Sequence, residues 1–263
     1  MQSAADAAAI LWRNWQESTR IGALPPGCRP ADRADGYLIQ AEVARLSAQQ
    51  VAGWKIAATS VDGQRHIGVD GPLAGRLLSG RLLDPSEAVS LEGNGMRVAE
   101  AEFAFRLADS LPGRDRGYTV DEVIAAVATL HPAIEIPDSR YADFAQAGGP
   151  QLIADNACAC WAMIGAAAPV EWRHRALGDH EVTAYRNGSR AVVGSGANAL
   201  GDPRVALTWL ANELMQYGEG LRAGDIVITG TCVKPVPIAP GDHVRMDFGD
   251  LGAIEAAFSG RLR

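Results

Sequence analysis

The sequence predicts an α+β fold: a β-rich core flanked by helices, with an α-rich N-terminal section packed against it. Two features carry that expectation. Residues 1–84 are Ala-rich and helical in pattern, whereas residues 85–263 fall into short alternating runs separated by turn residues, with a few well-marked helices between them. The two stretches are expected to form one continuous globular unit, because 263 residues suffice to bury a substantial core.

In chain order, a first helix is expected from about Ala4 to Glu17 and a second around Ala41 to Gln50, joined by the Pro-Pro-Gly-Cys-Arg-Pro loop at 25–30. Trp54 to Thr59 reads as a short strand and Gly68 to Gly80 as a Gly-rich connection. Residues 97–107 read as a strand with Ala99, Ala101, Phe103 and Phe105 on one apolar face. A helix starts at Thr119, whose hydroxyl and Glu122 make a capping-box pattern, and its end abuts the strand that carries Glu135. Asn187-Gly188, between the alternating runs His180–Arg186 and Ser189–Val193, is a hairpin signal. Asp202-Pro203, an N-cap followed by proline at the first helical position, opens a helix that ends near Gly218. Asp225–Thr229, His243–Phe248 and Ala253–Phe258 complete the strands.

With 24 basic and 31 acidic residues, a net charge of −7 and a pI near 5.3, the chain has no electrostatic footprint for nucleic acid or an anionic membrane surface. A small-molecule partner is the expectation. Cys28, Cys158, Cys160 and Cys232 show no Cys-x-x-Cys spacing, which fits reduced, buried thiols in a cytoplasmic protein. The N-terminal stretch lacks a basic region and carries Asp6 within its apolar run, so it reads as a helix and not a signal peptide. No apolar run approaches the ~20 residues that span a bilayer.

The chemistry concentrates in acids. Glu100 and Glu102 lie two residues apart, so they share the strand face opposite the apolar one, about 6.6 Å apart along the strand. Glu135, in Ile-Glu-Ile-Pro-Asp-Ser-Arg, is the third member of what looks like one site. An all-oxygen triad favours Mg²⁺ or Mn²⁺ over Zn²⁺. Spacing alone leaves open a solvent-facing strand that happens to carry two acids. Lys55 is the second signal. Lys55 and Lys234 are the only lysines, the other cations being arginines, and Lys55 lies between apolar neighbours in Gly-Trp-Lys-Ile-Ala-Ala-Thr-Ser. A lysine pKa can fall under desolvation, which arginine's does not, so Lys55 is a candidate proton carrier; a lysine snorkelling from a strand end is the alternative.

These residues recur as a series. Gly-Trp-Lys-Ile-Ala-Ala-Thr-Ser at 53–60, Gly68-Val69-Asp70, Glu100-x-Glu102, Ala133-Ile134-Glu135-Ile136-Pro137-Asp138-Ser139-Arg140, Ala154-Asp155-Asn156-Ala157, Trp209-Leu210-Ala211-Asn212 and Gly224-Asp225-Ile226-Val227-Ile228-Thr229-Gly230 occur in this order. The chain thereby resembles the 2-keto-4-pentenoate hydratase family of the fumarylacetoacetate hydrolase superfamily, which also includes vinylogous 4-oxalocrotonate decarboxylases. The resemblance runs from about residue 35 to Phe258. It implies a mixed β-sandwich roll of the fumarylacetoacetase C-terminal type, Mg²⁺ or Mn²⁺ on Glu100, Glu102 and Glu135, Lys55 near the reacting carbons, and a homo-oligomer. It also places Thr59, Ser60, Leu73, Cys158, Trp161 and Thr231 around the substrate. Asp138 and Arg140 are expected either to pair with each other or to support the metal ligands. Thr229-Gly230-Thr231 is a candidate for binding a substrate carboxylate, the alternative being a simple strand-ending turn.

Two departures from the family pattern stand out. Leu73, in Gly71-Pro72-Leu73-Ala74, occupies the position where many hydratases carry an acid, so a proton-relay partner of Lys55 is missing. Where the family reads Ala-Asp-Asn-Ala-Ser-Ser-Ala-Gly, this chain has Ala-Asp-Asn-Ala-Cys-Ala-Cys-Trp, which exchanges a hydroxyl for Cys158 and a glycine for Trp161. Both changes are expected to favour a substrate with an apolar or uncharged distal end. The expected reaction is hydration of a 2-hydroxy-2,4-dienoate through its 2-keto-3-ene tautomer to a 4-hydroxy-2-oxo acid, as in aromatic meta-cleavage catabolism, with 4-oxalocrotonate-type decarboxylation as the alternative. A reading of another class is a weakly active or non-catalytic structural partner of a pathway decarboxylase or aldolase. Leu73 keeps that reading open; the triad opposes it, because three converging carboxylates without a cation repel one another.

Overall fold

The computed structural model of the chain describes residues 2–260. Helix α1 (Gln2–Glu17) and helix α2 (Arg33–Ser47) pack on each other ahead of strand β1 (Val51–Ala57). A short helix, α3 (Val61–Ile67), leads to strand β2 (Leu73–Leu78), followed by the small strands β3 (Leu82–Leu83) and β4 (Val89–Ser90). The long strand β5 (Val98–Leu107), helix α4 (Val120–Ala125) and the long strand β6 (Val127–Ile136) form the centre. Helix α5 (Gly149–Ala154), strand β7 (Trp161–Ile164), the hairpin β8 (Glu181–Arg186) and β9 (Ser189–Ser195), and helix α6 (Pro203–Gln216) come next. Strands β10 (Ile226–Thr231), β11 (Val236–Pro237), β12 (His243–Asp247) and β13 (Ala253–Ser259) end the described chain.

The strands form two sheets. The larger is ordered β2-β1-β10-β5-β6-β7-β3, with β11 also paired to β5; the smaller is ordered β4-β13-β12-β8-β9. Strands on both sides of residue 84 share the larger sheet, because β1 pairs in parallel with β10. The apolar face of β5 is the one sequence alternation indicates: Ala99, Ala101, Phe103 and Phe105 are fully buried, and Phe103 meets Phe248 edge-on at 5.0 Å between ring centres. That contact clamps the larger sheet onto the residues flanking β12. The two packed sheets with helices around them are the mixed roll the sequence implies.

Local chemistry sets the element ends. Thr119 and Glu122 close a capping box on α4, and the Asp202 carboxylate accepts from the Arg204 N–H at the start of α6. Asn187 and Gly188 both adopt positive φ, 52° and 78°, the conformation a two-residue hairpin turn requires. Several elements depart from expectation, among them α5, β7 and the small strands β3, β4 and β11, which the sequence reading does not anticipate. Helix α2 starts at Arg33, eight residues before Ala41, capped by Asp32. Asp35-Gly36 resembles a turn pair, but Gly36 lies inside the helix because α5 approaches closely there: a β-carbon would sit 2.7 Å from the Pro150 carbonyl oxygen. Within the expected 68–80 connection lies β2, where Gly75 is required because a β-carbon would meet the Asn156 carbonyl oxygen at 2.2 Å. Helix α3, capped by the Ser60 hydroxyl, is a further addition.

Candidate active site

The register of the central strands assembles the site. Glu100 on β5 lies directly opposite Glu135 on β6, and Glu102 follows two residues along the same face. On the other side of β5, β10 and then β1 continue the row, with Ala104 opposite Ile228 and Ile228 opposite Lys55. Lys55 therefore shares the triad's face. One carboxylate oxygen from each of Glu100, Glu102 and Glu135 lies within 4.8 Å of the others. Glu102 and Glu135 are 0% and 1% exposed, which removes the solvent-facing-strand alternative.

Few partners satisfy these carboxylates. Glu102 Oε2 accepts the Gly230 N–H at 2.7 Å, while Glu102 Oε1 and both Glu135 oxygens have no hydrogen-bond donor. Lys55 Nζ lies 3.0 Å from Glu135 Oε1 in a charge–charge contact that is not aligned as a hydrogen bond, and it donates instead to the Ala157 carbonyl at 3.0 Å. Buried carboxylate oxygens without donors are costly. A hard divalent cation with oxygen ligands fits this set, since it would take up the uncompensated lone pairs and charge.

Electrostatics follow from burial and crowding. Desolvation, then the Glu135 charge, raise the Glu100 carboxyl to about 7, with Lys55 opposing. The same two causes, joined by Glu100, hold Glu102 well above the carboxylate range. Burial pushes the Lys55 ammonium down, but the charges of Glu135, then Glu100 and Glu102, outweigh it and leave Lys55 above the ordinary lysine value. Desolvation therefore does not by itself make Lys55 a neutral amine. A carboxyl raised in the folded state contributes stability that is full below its unfolded pKa and lost as pH rises through its folded one. The cation-free protein should thus lose stability between pH 4.5 and about 7 through Glu100. Cation binding must expel that proton, so the rise in Tm produced by Mg²⁺ should be larger at pH 8 than at pH 5.5. Thermal scans at the two pH values check this, and an equal rise at both would contradict it.

The site opens into a cavity of about 650 Å³. Lys55, Glu100, Thr59, Ser60, Leu73, Cys158 and Thr231 line it. Trp161 does not. Its register partner is Ile136, whereas the neighbouring Ala162 pairs with Glu135, so strand parity turns Trp161 to the opposite face of the sheet from the triad. There its ring takes the Arg81 guanidinium at 4.2 Å. The expectation of an uncharged substrate tail loses that half of its basis.

Asp138 and Arg140 are not each other's partners. Asp138 takes Arg20 through both oxygens, at 2.9 and 2.8 Å, and accepts the N–H groups of Gly95 and Met96, which fixes the turn entering β5. Arg140 pairs with Asp155, fully inside the protein. That pair anchors a segment in which Asn156, Ala157 and Cys158 all adopt positive φ, and this conformation aims the Ala157 carbonyl at Lys55. Thr229-Gly230-Thr231 also serves the site differently than expected, because the Gly230 N–H is spent on Glu102 and the Thr231 hydroxyl on the Val233 carbonyl. Burial raises the Cys158 thiol to about 12, so it is a neutral part of the wall.

Sequence reasoning missed the Ala157 carbonyl, which no residue type announces, and His66. The latter lines the cavity from α3 and meets Phe144 edge-on at 5.8 Å. The serine cap before α3 was the available signal, since it places positions 62, 63 and 66 on one helical face.

Comparison with known proteins identifies relatives by sequence and by fold. The family model described as fumarylacetoacetate (FAA) hydrolase C-terminal matches residues 81–259. A 2-keto-4-pentenoate hydratase of Paraburkholderia xenovorans is 31% identical over 260 residues, covering 98% of this chain and 95% of the relative. A 4-oxalocrotonate decarboxylase of a Pseudomonas species is 31% identical over 236 residues, covering 86% of this chain and 85% of the relative. A solved structure of 4-oxalocrotonate decarboxylase from Pseudomonas putida, complexed with magnesium and adipate, superposes with a TM-score of 0.88 at 27% identity over 98% of this chain and 97% of that one.

Proposed function

The chain belongs to the fumarylacetoacetate hydrolase family, and from that premise we propose that it is a divalent-metal-dependent lyase acting on 2-hydroxy-2,4-dienoates and their 2-oxo tautomers, with hydration as its reaction. The observation that carries this reading is the donor-poor carboxylate triad beside a buried lysine at the floor of a largely apolar cavity. Glu100, Glu102 and Glu135 would hold Mg²⁺ or Mn²⁺, and magnesium in the solved decarboxylase relative supports the former. When bound, the cation supplies Lewis-acid stabilisation of the negative charge that develops on the 2-oxo group of the substrate.

The chain's own residues do the rest. Lys55 Nζ holds a proton at the end of a side chain fixed between the Ala157 carbonyl and Glu135. It delivers that proton to C5 of the dienol while the 2-hydroxyl proton is lost, giving the 2-oxo-3-ene. Water then adds across C3=C4, its hydroxyl to C4 and its proton to C3, to give a 4-hydroxy-2-oxo acid. Leu73, Val98 and Leu152 along the wall exclude bulk water from the conjugated carbons. The same position of Lys55 serves a second reading, vinylogous decarboxylation, in which the bond to a terminal carboxylate breaks, CO₂ leaves and the electron pair runs to the 2-oxo group. Leu73 favours this second reading, because no acid stands there to relay protons with Lys55.

Purified protein with Mg²⁺, given a panel of 2-hydroxydienoates and oxalocrotonate, should consume dienol absorbance in a reaction that chelator abolishes. Measured CO₂ release separates the two readings. No Mg²⁺-dependent turnover of any member would contradict both.

Leu73 lies on the same face as Lys55 and diagonal to it, since Lys55 pairs with Gly75 and Ala57 with Leu73, so the β-carbons are about 7–8 Å apart. Leu73→Asp should therefore raise hydration of a simple 2-hydroxypentadienoate, a carboxylate there being within reach of the ammonium. Loss of both activity and stability would mean that position 73 is only wall, a buried carboxylate without a partner being costly.

A further inference from the structure

We propose that Lys234 is the specificity-determining residue for the substrate's far end and that it selects a 2-oxo acid whose tail carries a second anionic group. The proposal rests on the assignment of the cavity to 2-oxo acids. Both lysines of the chain line this one cavity. Lys55, on its floor, is committed to Glu135. Lys234 is exposed and has no acidic partner among the described residues. The other charged group near the opening, Asp62, already faces Arg65 at 3.9 Å.

The backbone that carries Lys234 is fixed relative to the triad. It lies in the connection of residues 232–235 between β10 and β11, and both strands pair with β5: Thr231 opposite Glu102, and Val236 opposite Ala99. Between those points the Cys232 N–H donates to the Ala101 carbonyl at 2.7 Å. The Cys232 carbonyl accepts the Ser195 N–H at 3.0 Å and the Asn198 side-chain amide at 2.7 Å. Pro235 restricts Lys234 itself to extended backbone. A loop pinned at so many points holds the Lys234 backbone at a set offset from Glu100 and Glu102.

The order of chemistry along the cavity then matches a two-ended ligand. The carboxylate triad would hold the cation that takes the 2-oxo acid head, apolar residues such as Leu73, Val98 and Val233 line the cavity, and the exposed Lys234 carries an uncommitted ammonium. Lysine suits the task better than the arginine this chain uses elsewhere, being a flexible point charge that follows a tail of variable length. The tail that Trp161 was expected to make uncharged does not meet Trp161 at all, so of the two residues that spoke against a second anion only Leu73, in the middle of the cavity, remains.

The test uses the Mg²⁺-loaded protein and two dead-end ligands of equal chain length, 2-oxohexanoate and 2-oxoadipate, titrated calorimetrically. The wild type should bind the dianion about tenfold more tightly or better, as a charge-assisted hydrogen bond at a half-enclosed site provides. Lys234→Ala should bring the dianion down to the level of the monoanion, and Lys234→Arg should restore part of the difference. Equal binding of both ligands by the wild type, or a preference that survives Lys234→Ala, overturns the role of Lys234 while leaving the 2-oxo acid site standing. Failure of the wild type to bind either ligand in the presence of Mg²⁺ overturns the site assignment and the inference with it.

Discussion

Lys55→Met should lower kcat about 10²–10⁴-fold, the range removed with a general acid or base. The Mg²⁺-bound protein should stay folded, because a cation on the triad compensates the charge that Lys55 otherwise balances. Without a cation the same substitution leaves three buried carboxylates facing one another, and truncating one partner of a buried pair costs about 3–5 kcal/mol. The variant should therefore depend on Mg²⁺ for stability far more than the wild type does. Lys55→Arg separates charge from proton transfer: it keeps the positive charge beside Glu135 but cannot give up a proton near neutrality, so it should recover stability and not turnover. Steady-state kinetics and thermal melting with and without Mg²⁺ measure both effects. Turnover within a fewfold of wild type in either variant would make Lys55 a structural cation.

The glutamates should differ among themselves in a way that follows from their partners. Glu135 is in contact with Lys55, so Glu135→Gln leaves a buried ammonium short of its nearest counter-charge and should destabilise the cation-free protein by about 3 kcal/mol. Glu102 faces no cation at contact distance; its Oε1 has no donor, and its Oε2 takes only the Gly230 N–H. Glu102→Gln keeps an acceptor for Gly230 and removes a carboxyl whose ionised form burial and the Glu135 charge disfavour, so it should leave the cation-free protein no less stable than the wild type. Denaturant unfolding in chelator reads the two directly. Identical shifts in both variants would mean that Lys55 is not electrostatically tied to Glu135.

The parts of the site that follow strand parity were legible in the sequence. Glu100 and Glu102 share a face because two residues repeat the side-chain direction, and the fully buried Ala99, Ala101, Phe103 and Phe105 confirm which face is left for them. Lys55 stood out as a rare residue type in an apolar strand. Other features depended on how distant segments meet. Gly75 looks like loop and is strand, because only a glycine lets β2 pass the Asn156 carbonyl, and Gly36 looks like a turn and is helix for the same kind of reason. Trp161 was placed in the pocket by a count along the motif, but its face is decided by pairing with Ile136, which a single chain does not display. The rise in the Lys55 pKa likewise needs the positions of three carboxylates from two other strands.

The central claim is that Glu100, Glu102 and Glu135 form one divalent-cation site, and calorimetric titration of Mg²⁺ into the wild type and the three single Gln variants tests it most directly. One ion per chain should bind, and each variant should weaken binding at least about tenfold, or ~1.4 kcal/mol. Mg²⁺ binding unchanged in all three variants would contradict the account.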